Sequence, residues 1–239
     1  YRGQYGLERH YEDVLNRDLD KVYANFFVEI FSSIGDVIEG KEHQGSIVTT
    51  IEPTVQTFVE KELEKIKNDW NSDLIGAIVM DPRSGAIRSM SVYPTFDLNT
   101  FNEVDNISIF NNPLVEGVYE MGSIVKPLTV AIGLDTGSIT PETEYEDRGQ
   151  LTFDGYTIYN FDKESRGVVP MQEVLNQSLN TGVSYIVGKV GNDVFSKYMK
   201  ELISQKTEID LPNESSPLIA NLDSPRDIEH MTASFGQGI

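Results

Sequence analysis

Ser123 and Lys126 are the residues whose types and spacing most directly suggest chemistry. They stand three apart in Tyr119-Glu120-Met121-Gly122-Ser123-Ile124-Val125-Lys126-Pro127. On a helix, positions i and i+3 share a face, so the hydroxyl and the amine can meet. A serine hydroxyl is a weak nucleophile at neutral pH and needs an adjacent base. A lysine amine can be that base when burial or nearby cations hold it neutral, which lowers its pKa from about 10.4. Ser123 also falls near a predicted helix start, where unpaired backbone N–H groups favour developing negative charge. Gly122 lets a substrate approach the backbone closely. A lone Ser-x-x-Lys is most often a solvated helix face. Here, however, Ser123 is the only serine with lysine at +3, and its surroundings are small and apolar rather than charged.

Ser178-Leu179-Asn180 is the only Ser-x-Asn in the chain. A hydroxyl and a carboxamide two apart, at a break between helical stretches, can point into one cleft. Ser178 could relay a proton with Lys126, and Asn180 could hold a substrate amide and help fix the lysine. Taken alone, the same triplet is a helix cap or a turn. Other candidates are weaker. His10, His43 and His230 are scattered without metal-ligand spacing. Glu142, Glu144, Glu146 and Asp147 read as a solvated acidic loop rather than a cation site. Gly236-x-Gly238 lacks the rest of a dinucleotide fingerprint.

The elements that must position these residues are legible from pattern. Ser46 to Ile51 reads as a strand, rich in Ile, Val and Thr. A helix follows from Pro53, with Val55, Phe58, Val59, Leu63, Ile66 and Trp70 on one apolar face. Leu74 to Met80 reads as a buried strand, Asp81-Pro82-Arg83-Ser84-Gly85 as a turn, and Ala86 to Val92 as the returning strand of an antiparallel hairpin. Pro94 to Pro113 is loop-like. Gly122 to Leu134 is helical, and Leu151 to Tyr159 is a short hairpin turning at Asp154-Gly155. Met171 to Val190 and Val194 to Ile203 are helical, the second with Phe195, Tyr198, Met199 and Leu202 on one face. This order predicts an α+β fold rather than a regular βαβ series. Residues 1–45 read as a separate N-terminal segment, helical from Tyr11 to Ile38 and ending in a Gly40–Gly45 linker. Residues 46–239 read as the main domain.

Composition bounds the function. The chain has 239 residues, with 39% hydrophobic and 24% charged, enough for a packed core without metal or disulfide staples. Its net charge of −19 and the lack of any basic run make nucleic acid and anionic lipid poor partners. The absence of cysteine excludes disulfides and thiol catalysis. The longest apolar run, Leu74 to Met80, is far short of a membrane span, so any membrane anchor is expected outside this sequence.

Ser123-x-x-Lys126 followed by Ser178-x-Asn180 resembles the first two motifs of the penicillin-recognising serine acyltransferases, whose signature continues to Lys-Thr-Gly. Tyr5-Gly6-Leu7-Glu8 with Tyr11-Glu12 is similar to the Gly-Leu-Glu box that precedes the transpeptidase domain of monofunctional (class B) penicillin-binding proteins. Thr49-Thr50-Ile51-Glu52 with Val55-Gln56 resembles their Thr-Ile-Asp…Leu-Gln segment, with Glu52 in place of Asp. Val79-Met80-Asp81-Pro82 with Ser84-Gly85-Ala86-Ile87 is similar to the first hairpin of their catalytic sheet. Gly167-Val168-Val169 through Asn180-Thr181-Gly182 resembles the stretch around their second motif, and Phe235-Gly236-Gln237-Gly238-Ile239 the Gly-Gln-Gly box before the third. Residues 18–44 have no counterpart. The third motif has no match, since Lys206-Thr207-Glu208 fails at the glycine.

The resemblance implies a penicillin-binding protein/β-lactamase-like fold, with helices around an antiparallel sheet, cut before the third-motif strand. It implies a D,D-transpeptidase that cross-links peptidoglycan stem peptides through a serine acyl-enzyme. Ser123 would be the nucleophile and Lys126 its proton acceptor. Ser178 and Asn180 would manage proton return and substrate placement, with Gly122, Ser123 and Asn180 contacting substrate. The Ser123 N–H would stabilise the oxyanion. β-Lactams would acylate the same serine, and no metal or organic cofactor is needed. Implied partners are stem peptides or their lipid-linked precursor and a glycosyltransferase, at the extracytoplasmic (periplasmic) face of a bacterial membrane. Both division and elongation enzymes share these motifs. Two alternatives stay open. One is a D,D-carboxypeptidase or β-lactamase with water as acceptor, although Glu214-Ser215-Ser216-Pro217 does not fit the usual Glu-x-x-Leu-Asn pattern. The other is a non-catalytic scaffold or sensor that keeps the fold.

Overall fold

The computed structural model describes residues 3–15 and 45–239. It divides into two compact units, Tyr1–Gly117 with Glu208–Glu214, and Val118–Thr207 with Ser215–Ile239. Most of the helix expected over Tyr11–Ile38, and the linker expected at Gly40–Gly45 up to its last residue, lie outside the described residues.

In the first unit, two short helices, α1 (Gly6–His10) and α2 (Glu12–Leu15), precede a long one, α3 (Pro53–Trp70). Pro53 starts α3 where a missing N–H costs nothing, and Asn71 ends it in a left-handed conformation at φ 48°. Strands β1 (Ile75–Met80) and β2 (Ile87–Tyr93) pair antiparallel from Ile75↔Tyr93 to Met80↔Ile87, with a bulge between Val79 and Met80. The turn between them is built as expected. Gly85 donates to Asp81 O at 2.8 Å, and its φ of +74° favours glycine.

Three expectations are corrected here. Residues 46–51 form no strand. The segment is joined to β2 by the Thr50 hydroxyl on Ile87 O (2.7 Å) and by Glu52 N on Arg88 O (2.8 Å), without a strand ladder. At Met90 the edge of β2 is taken by the Gln56 side chain, which donates to Met90 O at 3.1 Å and accepts from Met90 N at 3.0 Å. The apolar face of α3 is buried only along its Leu63 stripe, while Phe58 (65% exposed) and Trp70 (79%) face outward. Strand β1 is not buried either, since Ile78 and Met80 are exposed.

The second unit holds the main core. A 3-10 turn, Gly122–Val125, runs directly into α5 (Lys126–Asp135); α4 (Pro113–Glu116) belongs to the first unit. Strand β3 (Glu144–Asp147) pairs antiparallel with β6 (Gly167–Pro170), and β4 (Gln150–Phe153) with β5 (Tyr156–Tyr159). The β4–β5 hairpin turns at Asp154 and Gly155, both at positive φ as a two-residue primed turn requires. Helices α6 (Gln172–Asn176), α7 (Asn180–Val190), α8 (Asn192–Ile203) and α9 (Asp227–Ala233) complete the unit. Val183, Ile186, Val187, Phe195 and Met199 are fully buried, with Ile132 and Met231 against them. The stretch Met171–Val190 is therefore two helices, broken at residues 177–179, and Leu202 on α8 is exposed rather than part of its core face. Gly182 is required by packing: a Cβ there would stand 2.4 Å from Val174 Cγ2. The fold is α+β, with antiparallel strand pairs beside packed helices, as expected.

Candidate active site

Gly122, Ser123, Lys126, Ser178 and Asn180 all line one cleft of about 390 Å3 in the second unit. Gly122 sits at φ +61°, a conformation that suits glycine, and it opens the 3-10 turn that carries Ser123. In such a turn, side chains at i and i+3 eclipse, which places Ser123 and Lys126 on one side. Ser123 is exposed, whereas Lys126 is 2% exposed, at the head of α5.

The lysine amine is held by the break between α6 and α7. Lys126 Nζ donates to Ser178 O at 2.5 Å and to Ser178 Oγ at 2.9 Å. Burial lowers the Lys126 pKa to about 8, which brings the neutral base within reach near neutral pH. These contacts join Lys126 to Ser178, as a proton relay between them requires, and Ser123 lines the same cleft. Catalytic hydrogen bonds of this kind often tighten only when substrate is bound. Ser178 itself adopts a left-handed backbone, φ 54°. Asn180 Nδ2 donates to Tyr159 O at 2.8 Å, which fixes its carboxamide at the start of α7.

The cleft has a rim that the sequence did not single out. Phe161 is 98% exposed at its mouth. Beside it, Arg166 grips Asp162 through both carboxylate oxygens (2.8 and 2.5 Å) and donates from Nε to Gln177 Oε1 at 3.0 Å. That guanidinium, helped by the Glu164 N–H on Oδ1, holds the Asp162 carboxyl well below the usual carboxylate range. The C-terminal loop closes the other side. Gly122 N donates to Gly236 O at 3.0 Å, Gly238 N to Glu120 Oε1 at 2.8 Å, and the buried Thr129 hydroxyl to Ser234 O at 2.7 Å.

The acidic stretch at 142–147 differs from its expected role. Glu142, Glu144 and Glu146 are exposed, but Asp147 is 1% exposed and hydrogen-bonded within the second unit. No group of three or more His, Asp or Glu residues suited to a metal ion occurs among the described residues. Among the same residues, no helix is long and apolar enough to cross a membrane.

This chain belongs to the penicillin binding protein transpeptidase domain family, whose model matches residues 75–239. Stage V sporulation protein D of Bacillus subtilis is 29% identical over 243 aligned residues, which cover 100% of this chain and 38% of that protein. The probable peptidoglycan D,D-transpeptidase FtsI of Caulobacter vibrioides is 29% identical, over 82% of this chain and 33% of its own length. A crystal structure described as a peptidoglycan glycosyltransferase from Burkholderia ambifaria superposes with a TM-score of 0.69 at 25% identity, over 80% of this chain and 56% of that one. The chain spans about a third of the length of the curated relatives it matches, at 38% and 33% for these two.

Proposed function

We propose that this chain carries the acyl-transfer centre of a peptidoglycan D,D-transpeptidase. The observation that carries the reading is the Lys126 amine. It is buried, has its pKa lowered to about 8, and is aimed at Ser178 in the cleft that also presents Ser123. The family and the relatives named as D,D-transpeptidases point the same way.

In this reading Ser123 Oγ attacks the carbonyl joining the two terminal D-Ala residues of a stem peptide, and Lys126 Nζ takes the hydroxyl proton. The Ser123 N–H donates to the tetrahedral oxyanion. Collapse breaks the peptide bond, and the proton returns through Lys126 and Ser178 to the leaving D-Ala amine. The amine of a neighbouring stem then attacks the acyl-enzyme. It gives up its proton to Lys126 and forms the new amide, and Lys126 returns that proton to Ser123 Oγ as the acyl–oxygen bond breaks. Asn180, held by Tyr159 O, orients the substrate amide. β-Lactams enter as acylating mimics of the same donor. The substrate places this chemistry at the extracytoplasmic face of the cell membrane. An anchor upstream of Tyr1 and a glycosyltransferase partner belong to the same proposal.

The test is product analysis with the protein at its full natural length, a stem pentapeptide ending in D-Ala-D-Ala and an amine acceptor. Expected are release of D-Ala and a transfer product that Ser123→Ala abolishes. Hydrolysis without transfer would replace the reading with a carboxypeptidase. No turnover at all would leave the non-catalytic scaffold.

A further inference from the structure

Asp147 is 1% exposed at the end of β3, and its carboxylate accepts hydrogen bonds at both oxygens. Oδ1 accepts from Gly149 N at 2.9 Å and from the Thr181 hydroxyl at 2.8 Å. Oδ2 accepts from Arg166 N at 3.1 Å, and Asn160 Nδ2 reaches both oxygens at 3.0 Å. A carboxylate can stay in a core when its lone pairs are filled in this way. Asn160, 2% exposed, is held in turn by its own N–H on Gly149 O at 3.0 Å. Its Oδ1 accepts from Thr181 N at 3.2 Å.

That last bond gives the chain its purpose. Helix α7 begins at Asn180, and its cap residue, Leu179, supplies no side-chain cap. An N–H in the first turn of the helix is satisfied instead by Asn160. The residues just before are Ser178, at φ 54°, and Gln177, pinned by Arg166. Left-handed backbone is uphill for serine and persists only where its flanks are held. Both carbonyl and hydroxyl of that same serine accept from Lys126.

We infer that Asp147, acting through Asn160 and Thr181, is a positioning residue of the acyl-transfer site: it fixes the turn at Ser178 that receives the Lys126 amine. The inference rests on the acyl-transfer reading above and adds to it a buried anchor on β3, remote in sequence from both motifs. Asp147 does not touch substrate. It sets where Ser178 stands, and so where Lys126 points.

The test uses the full-length protein with Asp147→Asn, Thr181→Val and Thr181→Ser. Two readouts are taken on the same samples: the rate of β-lactam acylation by intact mass, and amide hydrogen exchange resolved over residues 177–181 and over α5. Asp147→Asn keeps the shape but sets an NH2 among donors. Thr181→Val removes the hydroxyl, which stands 2.8 Å from Asp147 Oδ1 and 3.0 Å from Asn160 Oδ1, and Thr181→Ser keeps it. The expected result is a loss of about tenfold or more in acylation for Asn and Val, the scale of a hydrogen bond to a charged group. Exchange should quicken at 177–181 but not in α5, and Thr181→Ser should behave as wild type. Acylation and exchange at wild-type values in Thr181→Val would overturn the inference. If Asp147→Asn does not fold, the two Thr181 variants carry the decision. If the wild type itself is not acylated, the acyl-transfer reading falls. The exchange arm then judges the positioning role alone, with quickened exchange supporting it and unchanged exchange overturning it.

Discussion

Gly122 and Gly236 meet backbone to backbone. The Gly122 amide donates to Gly236 O at 3.0 Å, and a Cβ on Gly236 would stand 2.4 Å from Gly122 O. Both residues have positive φ, +61° and +75°. The loop after α9 therefore buttresses the residue immediately before Ser123. Gly236→Ala combines an unfavourable backbone with a backbone clash, and the 122–123 turn must move to relieve it. The expected outcome is a loss of about tenfold or more in β-lactam acylation with a lowered melting temperature. Stopped-flow or mass-resolved acylation rates check this, and a wild-type rate would show that the contact does not position Ser123.

The lysine assignment predicts a pH profile. Burial places Lys126 at about 8, so the neutral base accumulates as pH rises through that value. Acylation rates should climb from about pH 6 and level off about one unit above that pKa, one limb with its midpoint near it. A rate independent of pH across this range would remove Lys126 from the proton-acceptor role.

The same burial has a stability consequence. The amine has a lower pKa in the fold than the ordinary 10.5, so the folded state disfavours its charge. Between about 8 and 10.5 the unfolded chain binds the proton and the folded chain does not, so this contribution makes stability rise with pH in that window. Below about 8 the full penalty is present, partly offset by the two bonds to Ser178. Lys126→Met should therefore stabilise the protein at pH 7 by about 1–2 kcal/mol while abolishing acylation. The gain should shrink as pH approaches 10.5. Denaturant melts at pH 7 and pH 10 check the sign, and a destabilised variant at pH 7 would contradict it.

Gly182 makes a packing prediction independent of chemistry. Its missing Cβ leaves room for Val174, which is fully buried. Gly182→Ala forces α6 and α7 apart, and the expected cost is about 1–3 kcal/mol in thermal or denaturant unfolding. An unchanged midpoint would mean that the two helices adjust freely.

The cleft residues were legible because their signals are local. Ser123 and Lys126 share a short spacing, and Ser178 and Asn180 share a triplet. The Asp81–Gly85 and Asp154–Gly155 turns carry their own backbone preferences. What supports them was not legible. Asp147 sits in an acidic run whose other members, Glu142, Glu144 and Glu146, are exposed, and only the tertiary arrangement turns it inward. Asn160 and Arg166 hold Thr181 and Gln177, the residues on either side of the second motif, a relation that no spacing encodes. Periodicity also overstated burial on α3 and α8. It marks which residues share a face, but which part of that face finds a neighbour is decided by packing, hence the exposed Phe58, Trp70 and Leu202. The 46–51 stretch has strand composition, yet the Gln56 amide occupies the β2 edge at Met90.

The central claim is that Ser123 is the acylated nucleophile. The most direct measurement is intact mass and peptide mapping of the full-length protein after exposure to a β-lactam, beside its Ser123→Ala variant. The account predicts one covalent adduct, localised to the peptide containing Ser123 and absent from the variant. An adduct on another residue, or one that survives the substitution, would contradict it.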